Sequence, residues 1–91
     1  MMKENEDIIN QYVRERDQAV STFDLATFRK FLMKWQKEGM FPFDVSKITK
    51  PVLEITMYKM AVHSINIAPE KRKQAEKWLL DHGYDLGIGR F

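Results

Sequence analysis

The sequence predicts an all-α fold, a compact four-helix domain with a central, mostly apolar third helix. Three observations carry this. Apolar residues recur at helical spacing in four stretches. Proline and glycine mark the ends of those stretches. The third stretch is apolar around most of its circumference. Ninety-one residues make one domain, 1–91, with a modest core, and two Trp, three Tyr and six Phe argue against disorder.

The first helix is expected from about Glu6 to Val20. Asn5 is its predicted N-cap, and Glu6 and Asp7 suit the positive end of the helix dipole. Ile8, Ile9, Tyr12, Val13, Ala19 and Val20 fall on one arc. Arg16 lies within that arc, its stem expected on the core edge and its head in water. Ser21-Thr22-Phe23-Asp24 breaks this helix and starts the next. Asp24 is the preferred N-cap, with a Ser21–Asp24 capping box as the alternative.

The second helix is expected over 25–38. Leu25, Phe28, Phe31, Leu32 and Trp35 form its apolar stripe. Gly39 is placed as the C′ residue that takes a left-handed conformation, with Met40 folding back on Trp35. The connector from Phe41 to Thr49 is unusually apolar, and Pro42 holds Gly39–Phe43 as a turn. Phe41 or Phe43 is expected to plug one end of the core.

The third helix is expected over 51–66, with Pro51 at N1. Val52, Leu53, Ile55, Met57, Tyr58, Met60, Ala61, Val62, Ile65 and the following Ile67 leave only a narrow polar strip, Thr56, Lys59, His63 and Asn66. A helix with so little polar surface is either the centre of the domain or a subunit interface. The fourth helix is expected over 69–82, from Pro69 at N1 to a Schellman ending at Gly83 and Tyr84. Residues 85–91 read as a flexible tail. Arg29-Lys30-x-x-x-Lys34-Trp35 recurs as Arg72-Lys73-x-x-x-Lys77-Trp78, which raises a duplicated helical hairpin without establishing a period.

Few residues suggest chemistry. Without cysteine there are no disulfides, thiolates or Cys-ligated zinc. The two histidines have no partner at metal-ligand spacing, so no metal is expected. His82 reads as a helix-end residue. Glu54 is an acid on the apolar side of the third helix. It serves as a first-turn acid at the helix N-terminus, or it forms a candidate buried ion pair with Arg16, which would fix helix register. Gly87-x-Gly89 lacks the third glycine and the following helix of a phosphate loop. No cofactor is expected, and an enzyme using Glu54 or His82 as an acid–base group is the least supported reading.

Charge is uneven. Residues 1–24 hold three basic and six acidic side chains, a net −3, and residues 25–91 carry +5. Lys30, Lys34 and Lys37 on the second helix, with Arg72 and Lys73 on the fourth, form a candidate basic contact surface. Glu38, Glu70 and Glu76 interrupt it, and the whole chain is only +2, so nucleic acid is an alternative partner rather than the favoured one. Met33 lies off its helix's stripe and suits an exposed contact. No stretch is long and apolar enough to span a membrane, and the acidic start is unlike a signal peptide. The cytoplasm is the expected location.

Three segments carry a resemblance. They are Asn5-Glu6-Asp7-Ile8-Ile9 with Tyr12-Val13 and Glu15-Arg16-Asp17; Glu54-Ile55-Thr56-Met57 with Lys59-Met60; and Trp78-Leu79-Leu80 with Gly83-Tyr84. Together they resemble a group of short bacterial proteins without an assigned activity, some carried by phages or mobile elements. The resemblance implies a cytosolic accessory protein and brings no site residues. The sequence therefore leads to a non-enzymatic interaction module whose partner is a second copy or another protein, because apolar area left uncovered on the third helix tends to become an interface.

Overall fold

The computed structural model describes residues 2–87, with side chains from residue 7 onward. It holds four helices: α1, Met2–Ser21; α2, Leu25–Lys37; α3, Lys50–Val62; and α4, Pro69–Asp81. A 3-10 turn, Val45–Lys47, interrupts the α2–α3 connector. Helix α3 packs against each of the other three, α1 pairs with α2, and α4 rests chiefly on α3. The all-α four-helix domain with a central third helix is thus the observed fold.

The core follows from the stripes. Leu53, Met57 and Ala61, spaced four apart on α3, are buried against Val20, Phe28, Leu32, Val45 and Ala75. Leu79 of α4 is also fully buried. Trp35 is 2 % exposed, and its indole N–H donates to Glu15 Oε1 at 3.2 Å, so its one polar atom is satisfied.

Each helix ends by a local device. Helix α2 starts at Asp24, whose carboxylate accepts from the Thr27 backbone N–H at 3.0 Å and its hydroxyl at 2.6 Å. The Ser21–Asp24 capping box does not form, because Ser21 is still helical and its hydroxyl donates to the Asp17 carbonyl. Gly39 and Gly83 take φ of 83° and 80°. Met40 N–H reaches Trp35 O at 3.0 Å and Tyr84 N–H reaches Leu79 O at 2.8 Å, so both Schellman endings form. Helix α1 ends on Phe23 at φ 52°, an aromatic residue where α2 and α4 use glycine. Its ring lies 5.1 Å from that of Tyr58 and beneath Lys71 Nζ, packing that offsets the backbone cost.

The boundaries differ from expectation by a residue at the start of α3 and at the ends of α1, α2 and α4, and by more at the start of α1 and the end of α3. Helix α1 runs through Asn5, which is therefore not an N-cap. Pro51 is the second residue of α3, after Lys50, and Thr49 is its cap. Helix α3 stops at Val62 rather than Asn66: Ser64 turns inward, its hydroxyl donating to Met60 O at 2.9 Å, and Ile65 is left 80 % exposed while Ile67 is buried. Of the expected tail, Asp85 meets Lys59, Leu86 O meets His63 and Gly87 N–H donates to Asp85, while 88–91 lie outside the described residues.

Candidate functional site

Beside α3 lies an apolar cleft of about 500 Å³. Val52, Thr56, Lys59, Met60 and His63 form its α3 wall. Their spacing is that of one helix face, next to the buried Leu53–Met57–Ala61 row. Three of the four residues of the polar strip read from the sequence, Thr56, Lys59 and His63, therefore line the cleft with two apolar residues, while Asn66 lies beyond the end of α3 and does not line it.

The opposite walls are built by α1, α2 and the connector. Tyr12 and Arg16 come from α1, Leu32 from α2, and Phe41, Phe43 and Ile48 from the connector. Helix α2 holds that connector in place. Gln36 Oε1 accepts from the Val45 N–H at 2.8 Å, and Arg29 donates to the carbonyls of Val45 and Ile48, each at 3.2 Å. Asp44 caps the 3-10 turn through Ser46, whose hydrogen bonds hold the Asp44 carboxyl below the usual carboxylate range. Phe41 then packs on the core edge 6.2 Å from Tyr12, and Phe43 stacks on Phe41 at 5.3 Å with 46 % of its surface exposed. Phe41 is the residue nearer the role of a plug.

Glu15 fixes α1 against α2. It accepts from Lys34 Nζ at 2.7 and 2.8 Å, from Gln11 at 2.8 Å and from Trp35 at 3.2 Å. These bonds, that of Lys34 foremost, pull its carboxyl below the ordinary glutamate value. Burial, partly offset by Arg16, pushes the Tyr12 phenol above its ordinary value. It enters the cleft as a neutral group.

The polar groups of the cleft are cationic or neutral, and among the described residues no carboxylate lines it. Arg16 donates to Asp17 Oδ1 at 3.0 and 3.2 Å. Lys59 meets Asp85 at 3.3 Å, which lowers the Asp85 carboxyl. His63 Nε2 lies 2.6 Å from Leu86 O, so this nitrogen carries the ring hydrogen. The segment after α4 is thereby tied to the cleft's α3 wall.

The sequence-predicted residues fare differently. Among the described residues no ion pair joins Arg16 to Glu54; Arg16 pairs with its own neighbour Asp17 and faces the cleft. Glu54 is part-exposed one turn from Tyr58, whose phenol is raised by burial and, secondarily, by that carboxylate. Of the basic surface, Lys30, Lys37 and Lys73 are exposed, Lys34 is committed to Glu15, and Arg72 is half-buried with its Nε lacking a hydrogen-bond partner. Helices α2 and α4, which carry these cations, do not pack extensively against each other. Arg29, paired with Arg72 in the apparent repeat, instead holds the connector. His82 Nδ1 meets Trp78 O at 2.7 Å and its ring stacks on Trp78 at 4.0 Å, a helix-end role. Neither Glu54 nor His82 lines the cleft. Met33 is exposed as expected.

Sequence reasoning missed the cleft itself. Its traces were the surplus of aromatics in the connector and the interleaving of Val52 and Met60 with the polar strip.

No family model matches the chain, and no curated protein and no solved structure matches it. The resemblance noted for three segments rests on those segments alone. No described helix is long and apolar enough to cross a membrane.

Proposed function

We propose that the chain is a non-enzymatic interaction module that seats apolar side chains of a protein partner in the cleft beside α3. The observation that carries this is the composition of the cleft. It is apolar, large enough for several side chains, and open at residues as exposed as Val52, at 50 %, and Phe43. Among the described residues its charged lining groups are the cations Arg16 and Lys59, which favours a partner with acidic residues beside its apolar ones. An amphipathic helix laid in a groove presents that combination at its i, i+3 and i+4 positions.

A fluorescently labelled Leu- and Glu-rich helical peptide tests the reading. Saturable binding is expected, weakened by added salt and lost in Met60→Glu, which places a carboxylate in the cleft. Absence of saturable binding to the folded chain at low salt would end it.

A further inference from the structure

We infer that residues 88–91 of the same chain seat in the α3 end of the cleft and compete there with the partner. The inference rests on the docking role proposed for the cleft and adds its regulation: at rest the site holds the chain's own tail.

Three contacts bring the chain to the cleft. After α4, Asp85 meets Lys59 at 3.3 Å, the Leu86 carbonyl accepts from His63 Nε2 at 2.6 Å, and the Gly87 N–H donates to Asp85 at 3.0 Å. Lys59 and His63 both line the cleft. The chain therefore arrives at Gly87 beside the cleft's α3 wall, at its His63 end. Ile88, Gly89, Arg90 and Phe91 follow, beyond the described residues. Four extended residues reach at most about 13–14 Å. At 1.5 Å per residue along α3, Met60 lies about 5 Å from His63, Thr56 about 10 Å and Val52 about 16 Å. The reach covers Met60 and Thr56 and stops short of Val52.

Chemistry and tethering select the same occupant. Ile88 and Phe91 bring two apolar side chains to an apolar cleft of about 500 Å³. A segment tied at the rim is held at an effective concentration on the order of millimolar, so even a weak fit competes for the site. A second copy or another protein must instead give up its translational and rotational freedom to enter. The end of the cleft at Val52, half exposed, lies past the tail's reach and stays open. A partner engages that end first and displaces the tail to occupy the rest.

The lack of cysteine makes this directly testable. Arg90→Cys is paired in one chain with Thr56→Cys, on the cleft wall, or with Ile65→Cys, 80 % exposed and two residues from His63 but outside the cleft. Under mild oxidation the Thr56→Cys pair is expected to close an intramolecular disulfide faster, at a rate independent of chain concentration. A tail that does not enter the cleft would reach the nearer Ile65→Cys at least as fast, and that result overturns the inference. So does a Thr56→Cys crosslink that forms only between copies. Separately, Ile88→Ser/Phe91→Ser is expected to bind the Leu- and Glu-rich peptide about threefold or more tightly than the wild-type chain, because the fraction of chains with a free cleft rises. Equal affinity overturns the inference and leaves the docking role standing. Loss of peptide binding by both chains removes the docking role, while a faster Thr56→Cys closure still supports the tail in the cleft.

Discussion

Glu15 shows how much one side chain can organise in a chain this small. It joins Lys34 and Trp35 on α2 to Gln11 on its own helix, and so sets the angle at which α1 walls the cleft. Its folded carboxyl titrates below its unfolded value, so its contribution is complete above the unfolded value and is lost as pH falls through the folded one. Glu15→Gln is therefore expected to lower the urea midpoint at neutral pH. It should also flatten the fall in stability below the ordinary value of 4.5, as read by denaturation at several pH values. An unchanged acid limb would remove Glu15 from that role. The pairing was not legible in the sequence, because Lys34 lies 19 residues away and nothing local singles it out. The Asp24 cap was legible, because its partner Thr27 is three residues on and capping chemistry is local. Arg16 illustrates the limit between the two. Its place on the apolar arc was readable, but its partner was Asp17, not the distant Glu54.

Among the helices, what was written locally was read well. Gly39 and Gly83 stop α2 and α4 through the same pair of backbone hydrogen bonds. Helix α3 was harder, since its stripe continues formally through Ile65, and only the inward turn of Ser64 ends it at Val62. Its wheel also showed where apolar residues lie without showing which side each neighbour covers. The structure divides them: Leu53, Met57 and Ala61 face the core, whereas Val52 and Met60 face the cleft. Met57→Ala should cost about 2–5 kcal/mol of unfolding free energy, as large-to-small changes in closed cores do. Val52→Ala, at a half-exposed position, should change stability by less than about 1 kcal/mol and act on association instead. Equal losses in chemical denaturation would contradict this division of α3.

The molecule as a whole is a core of conventional packing with one side of its central helix left open. Length, aromatic content and periodicity were enough to predict the all-α domain, because those properties depend on each helix separately. The cleft was hidden because α1, α2, the connector and α3 must all be placed before it exists. The most direct test follows the methionine methyl resonances of the intact chain as the Leu- and Glu-rich peptide is added. Met57, fully buried, should stay fixed, while Met60, on the cleft wall, should shift in step with the methyls of Val52. A Met60 signal that does not move, or one that moves no more than that of Met57, would contradict the open face of α3 as the surface this protein uses.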